Sequence, residues 1–354
     1  MSDSKSYPLS FTGRGSEYFK IWIVNILLSI VTVGIYSAWA KVRTQRWFYG
    51  HTVLDGQPFT YLATPMQLLK GRLIAFAVMV VYALSSHFMP ALSLVFLLAL
   101  IIATPWLVVA GLRFNARMSA YRGIRFDFTG GMKEATVIFL LLPLLIPFTL
   151  GLILPYLAYR QVRYLVDNTR YGDTVGCFQG SVKQYIPIYL VIAAILLSPF
   201  LLGIGFLLLK YGTDALESLY ILVLVGKDVA ETLGNIIAVY LLLFYVSLLV
   251  AVGYADARLK NLQYNGSTFG PVGFESRLSV RGFIWLYVSN VFLLAITLGL
   301  FYPWARVRFA RYRAERLTVQ SAQALDIFTG SRLQAPGATG SEMADAMAVG
   351  TGFL

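Results

Sequence analysis

Three pairs of arginines recur at one spacing: Arg43 with Arg46, Arg160 with Arg163, and Arg308 with Arg311. A separation of three places both guanidiniums of a pair on one face of a helix. Six such groups drawn together would suit an anionic substrate or the phosphates of lipid head groups. Next to apolar stretches they serve a plainer purpose, fixing orientation, because Lys and Arg collect on the cytoplasmic side of a membrane. Asn25 and Asn290 lie inside apolar runs, where an amide needs a partner. Hydrogen bonding between segments weighs more heavily for them than substrate contact. Other reactive sets are missing. His51 and His87 are far from the HExxH spacing of a zinc site. The single cysteine, Cys177, excludes an intramolecular disulfide framework and a four-cysteine metal site. The apolar runs 21–40, 73–112, 135–159 and 282–305 contain no Asp or Glu. No catalytic, metal or cofactor residue follows, and an enzyme is not expected.

The elements that would position these residues are membrane segments. Of 354 residues, 58% are hydrophobic and 13% charged, against about 45–50% and about 25% in a soluble domain. That surplus calls for a bilayer rather than a water-facing surface. The net charge of +12 therefore reads as juxtamembrane Lys and Arg, not as a nucleic-acid surface. A span needs about 20 apolar residues. Residues 73–112 are long enough for two passes around 85–90, and 185–253 for two more around a polar stretch at 210–231 that holds Asp214, Glu217, Asp228 and Glu231. With 21–40, 135–159 and 282–305 the total reaches seven. The expected organisation is a segment 1–20 in the cytoplasm, a membrane domain over 21–332, and a disordered tail over 333–354, rich in Gly, Ala and Ser.

An internal repeat is the most specific pattern. A shift of 265 carries Asn25, Thr32, Gly34, Trp39, Arg43 and Arg46 onto Asn290, Thr297, Gly299, Trp304, Arg308 and Arg311. A shift of 117 carries Phe11-Thr12-Gly13 onto Phe128-Thr129-Gly130, and Thr32, Gly34, Arg43 and Arg46 onto Thr149, Gly151, Arg160 and Arg163. Phe178-Gln179-Gly180 and Phe328-Thr329-Gly330 echo the same tripeptide. Thr-x-Gly reads as a helix break, with Gly34, Gly151 and Gly299 supplying positive φ. Pro155 and Pro303 suit the first turn of a restarting helix. Residues 11–52, 128–169 and 276–317 should therefore share one backbone shape. Asp55-Gly56 and Asn265-Gly266 read as tight turns of short surface β-hairpins. The fold class expected is an all-α polytopic membrane protein with four to seven spans, broken-helix repeats and short surface hairpins.

The run FTGRGSEYF, then N-x6-TVGIYSAWAKVR, then HTVLDGQPFTY, resembles the YjgN-like family of bacterial inner-membrane proteins, a domain of unknown function. The match is strongest over 11–72 and recurs at 274–318. The resemblance implies a multi-pass protein of a bacterial inner membrane and supplies no substrate, cofactor or catalytic residue.

Two arrangements compete for the broken segments. If 21–40, 135–159 and 282–305 enter and return, 27 Lys and Arg share one face and two, Lys210 and Lys227, the other. If all seven segments cross, the split is 18 to 11. The positive-inside rule prefers the first. The spacing of Trp22 from Trp39, about 25 Å along a helix, resembles aromatic belts at two interfaces and favours the second. Function then divides between a passive or facilitative transporter or channel, its cavity lined partly by Asn25 and Asn290, and a non-transporting scaffold that organises lipids. The partners expected are the bilayer and anionic phospholipid head groups, with no nucleic acid.

Overall fold

The computed structural model describes residues 5–211 and 229–321. Ten short strands are interleaved with five helical excursions: β1 (Lys5–Phe11), β2 (Thr52–Leu54), β3 (Gln57–Tyr61), β4 (Ser119–Tyr121), β5 (Ile124–Phe128), β6 (Thr169–Tyr171), β7 (Thr174–Phe178), β8 (Ser267–Phe269), β9 (Val272–Ser276) and β10 (Leu317–Ser321). Each is antiparallel to its sequence neighbours, and β10 returns to β1 with Val319 opposite Tyr7, so the sheet closes into an up-and-down barrel. At one end, tight turns join β2–β3, β4–β5, β6–β7 and β8–β9. Asp55-Gly56 (φ 47° and 72°) and Arg122-Gly123 (φ 49° and 79°) both hold the paired positive φ of a type I′ turn. At the other end, five helical excursions join β1–β2, β3–β4, β5–β6, β7–β8 and β9–β10.

The first excursion is α1 (Gly15–Val31) and α2 (Ser37–His51), and the second is α3 (Pro65–Phe88) and α4 (Pro90–Met118). The third runs through α5 (Met132–Thr136), a π turn (Val137–Leu141) and α6 (Leu142–Leu144) before returning as α7 (Leu154–Asp167). The fourth is α8 (Val182–Tyr211) and α9 (Val229–Asn265), and the fifth is α10 (Val280–Ile296) and α11 (Tyr302–Ala314). Among the described residues, four helices are long and apolar enough to cross a membrane: Pro65–Phe88, Ala91–Met118, Val182–Gly205 and Ala238–Asn265. They belong to the second and fourth excursions. Short and long excursions therefore alternate around the barrel, except where the fifth meets the first.

The barrel overturns the all-α expectation. An isolated two-stranded hairpin is marginal in water, so hairpins scattered along the surface could not stand alone. Joined edge to edge they satisfy every ladder and leave no open edge. The seams between hairpins pair strands separated by a whole helical excursion, such as Phe59 opposite Tyr121, and no local sequence signal records that. Leu9, Leu54, Phe59, Tyr121, Tyr171, Val272 and Val319 form one buried cluster contributed by seven strands. The Tyr171 hydroxyl donates to the Tyr121 carbonyl at 2.9 Å and the Tyr121 hydroxyl to the Leu54 carbonyl at 2.8 Å. The interior is a packed core in which even the phenols are satisfied.

Asn265-Gly266 is not a hairpin turn. Asn265 ends α9, and its amide holds β9, accepting from the Ser276 N–H at 2.6 Å. The turn itself falls at Gly270, with φ 56°. The N-terminal segment, expected as a separate tract, supplies β1 to the barrel. Phe328-Thr329-Gly330, the 333–354 tail, Asp214, Glu217 and Asp228 lie outside the described residues. Glu231 falls within α9 rather than in a connection.

Closure also decides the path of the broken segments. Each short excursion leaves a strand and returns to its neighbour at the same barrel end, so it comes back as a helical hairpin. Trp22 and Trp39 then sit on opposite arms of one hairpin, and their spacing is not a span. The three tips share one geometry. Val33-Gly34, Leu150-Gly151 and Leu298-Gly299 hold φ of 48° and 87°, 49° and 82°, and 48° and 88°. The N–H of Gly34, Gly151 and Gly299 reaches back to the carbonyls of Ser29, Ile146 and Leu294, a Schellman-type closure. Thr32 bridges the two arms, donating to the Leu28 carbonyl at 2.7 Å and accepting from the Tyr36 N–H at 2.9 Å, and Thr297 does the same with Leu293 and Phe301. The outgoing arm of the third excursion departs from the pattern. Pro143 and Pro147 each lack a donor, and that arm runs through a π turn.

Candidate functional site

The arginine pairs do not assemble into a ring of vacant cations. Arg46 donates to the Ala63 carbonyl and Arg311 to the Gly13 carbonyl, both at 2.9 Å. Each therefore ties a returning helix to the start of the next excursion. The other seams carry matching ties: Arg113 to the Phe128 carbonyl at 3.3 Å, Asp167 from the Phe178 N–H at 2.7 Å, and Asn261 to and from the Leu278 backbone at 2.8 and 2.9 Å. Each of the five returning helices therefore carries at least one such tie. These links hold the helical ring to the barrel rim. Gly13 is needed at its junction, because a Cβ there would lie 2.5 Å from the Trp47 ring.

Arg160 pairs with Glu134 at 3.3 Å and Arg163 with Asp167 at 3.2 Å. They border a cleft of about 410 Å³ whose two cations are matched by two acids. Arg308 turns inward, donating to Asn290 Oδ1 at 2.6 Å and to Ser289 Oγ at 3.0 Å. Arg43, its counterpart in the first hairpin, is exposed. Gly34, Gly151 and Gly299 serve the tip geometry.

Asn25 and Asn290 thus part company despite their equivalent positions. Asn25 Nδ2 approaches the Ala40 carbonyl at 3.4 Å and Thr44 Oγ1 at 3.5 Å, both at the long limit of a hydrogen bond. Its Oδ1 is buried with no partner among the described residues. The residue lines a cleft of about 620 Å³ between α1, α2 and α11. Ser29, Lys41, Thr44, Gln45 and Arg306 add polar groups to the cleft, and Tyr18, Trp22, Ile26, Ile30 and Tyr302 supply its apolar walls. Arg306 lies 4.7 Å over the Phe48 ring, which holds its guanidinium in place. Among the described residues, no Asp or Glu lines this cleft.

A second polar cluster escaped the sequence reading. Asp256 on α9 accepts from Tyr287 of α10 at 2.6 Å and from Arg313 of α11 at 3.1 Å, so it clasps the fourth excursion to the fifth. Its partners stand 31 and 57 positions away, and the only local hint was an isolated acid on an otherwise basic helix end. In the barrel, burial pushes the Tyr171 phenol up to about 12.

No solved structure matches this chain. The family described as "Bacterial protein of unknown function (DUF898)" matches residues 6–346. This chain belongs to that family. It is similar to the inner membrane protein YjgN of Salmonella typhimurium, 27% identical over 358 residues that cover 90% of this chain and 89% of the relative. It is also similar to the inner membrane protein YjgN of Escherichia coli O157:H7, 24% identical with 88% of each chain covered. With four membrane-length helices, this DUF898 member is a multi-pass protein of the bacterial inner membrane.

Proposed function

We propose that this DUF898 protein is a non-conducting scaffold that organises lipid in one leaflet, its barrel facing the cytoplasm. The observation that carries the reading is the set of three hairpin tips. Val33, Leu150 and Leu298 sit in the left-handed conformation and are 92%, 91% and 93% exposed. A large apolar residue held in a costly conformation and left fully uncovered is suited to lipid, not to water. Each hairpin returns to the barrel end it left, so its arms, about 25 Å for the 17 residues of α1, enter the bilayer from one face without spanning it. The 27-to-2 split of Lys and Arg favours the cytoplasmic leaflet.

The transport alternative called for a polar cavity shared by the repeats. The cleft takes in Asn25 but not Asn290, which is spent on Arg308, and the barrel core is filled. Both features support the scaffold. The test uses the full chain in phosphatidylethanolamine–phosphatidylglycerol vesicles, with nitroxide labels at 33, 150 and 298. The expected result is oxygen-accessible labels shielded from an aqueous nickel reagent, and no solute efflux above protein-free vesicles. Saturable efflux, or tips open to nickel, overturns the reading.

A further inference from the structure

We infer that the cleft between the first and fifth excursions is a binding site for an anionic phospholipid with a hydroxyl-bearing head group, of the phosphatidylglycerol type. The inference deepens the scaffold reading by naming its lipid. Four observations converge on it.

The first is the asymmetry of the repeat. In the fifth excursion the amide acceptor Asn290 Oδ1 is filled by Arg308. In the first, the equivalent arginine is Arg43, which is exposed, and Asn25 Oδ1 has no donor among the described residues. Asn25 is only 5% exposed, and an acceptor so placed is costly unless a donor reaches it. Its Nδ2 contacts are long and weak, so the amide is free to reorient towards an entering group.

The second is charge. Arg306 brings a guanidinium to the cleft, and among the described residues no Asp or Glu lines it, so the site favours an anion. The head group must then be negative overall and must also bring a hydrogen-bond donor to Asn25. A glycerol phosphodiester meets both demands. A zwitterionic amine head group meets only the second.

The third is the apolar wall. Trp22, Ile26 and Ile30 continue from the polar floor along α1 towards the exposed tip at Val33, a path for an acyl chain that a free phosphate would not use. The fourth is access. Around the barrel, this is the seam where two short excursions adjoin with no spanning helix between them, so a lipid can enter sideways from the leaflet. Gly15 lets the two hairpins close up beneath the cleft, because a Cβ there would overlap the Trp304 ring.

The test is native mass spectrometry of the full chain released from nanodiscs that hold phosphatidylglycerol and phosphatidylethanolamine in equal amounts. One phosphatidylglycerol should remain bound in preference to phosphatidylethanolamine. Asn25→Leu and Arg306→Gln should each lower its retention at least fivefold, and Arg306→Lys should restore part of it. Asn25→Asp, which keeps the acceptor but adds a negative charge, should abolish the preference for the anionic lipid. Melting temperatures within about 2 °C of wild type identify folded variants. Unchanged retention in folded Asn25→Leu and Arg306→Gln overturns the site, as does equal retention of the amine lipid. Displacement of the bound lipid by millimolar glycerol 3-phosphate would instead identify a soluble-anion site and would also overturn it. Tip labels at 33, 150 and 298 should stay buried in every variant. Loss of lipid selectivity with buried tips concerns this site alone, whereas exposed tips in the wild type refute the scaffold.

Discussion

Replacing Asn25 and Asn290 in turn by leucine should give unequal losses of stability, although the two residues occupy the same place in the repeat. In both variants a side chain of similar size replaces the amide, and in both one orphaned polar atom is removed, Oδ1 at Asn25 and Nδ2 at Asn290. Those gains cancel in the comparison. The hydrogen bonds that are lost do not cancel. Asn290 gives up a charge-assisted bond of 2.6 Å from Arg308, of a kind that contributes about 1.5–3 kcal/mol. Asn25 gives up two contacts at 3.4 and 3.5 Å, where a hydrogen bond has nearly faded. Asn290→Leu should therefore be less stable than Asn25→Leu by about 1.5–3 kcal/mol, or roughly 3–6 °C in melting temperature for a large chain. Thermal unfolding in detergent, followed by tryptophan fluorescence, reads this directly. An Arg308→Met background should erase the difference, because the bond is then absent from both. Equal losses, or a larger loss at Asn25, would refute the assignment of partners.

Cysteines at 55, 125 and 173 in a Cys177→Ala background should all resist a membrane-impermeant maleimide applied to the periplasm and react after permeabilisation, because all three lie on strands or turns of one barrel. Labelling of any one from the periplasm would break the barrel. Gly299→Ala should cost roughly 1–2 kcal/mol from the φ of 88° alone, since nothing lies within 4 Å of the added Cβ; a stability scan finding no loss would show the tip to be relaxed. Tyr171 keeps its proton to about pH 12 in the fold but loses it near pH 10 when unfolded. Its contribution to stability is complete below pH 10 and disappears as the pH rises to 12. Tyr171→Phe should accordingly unfold less steeply with pH across that window, as followed by circular dichroism.

The membrane character, the two double passes and the three broken repeats were legible along the chain. Each is a local matter: 20 consecutive apolar residues need a bilayer, and Thr-x-Gly breaks a helix wherever it occurs. The turn at Asp55-Gly56 was legible for the same reason. Asn265-Gly266 was misread because the same dipeptide can end a helix, and only the packing of Asn265 on Ser276 separates the two. The arginine pairs were visible, but not their separate fates. Whether a guanidinium meets a lipid, an amide or the carbonyl of Gly13, 298 positions away in the chain, depends on which helices the barrel brings side by side.

The barrel, the return of the short excursions and the cleft arise from long-range pairing. Strands of three to seven residues carry too little pattern to announce partners across a helical pair, and closure belongs to all ten together. Once β10 pairs with β1, every excursion must come back to the side it left, and an odd number of alternating excursions forces two short ones together. The cleft at that seam follows from the count of excursions and the closure of the ring, a constraint that no single stretch of the sequence contains.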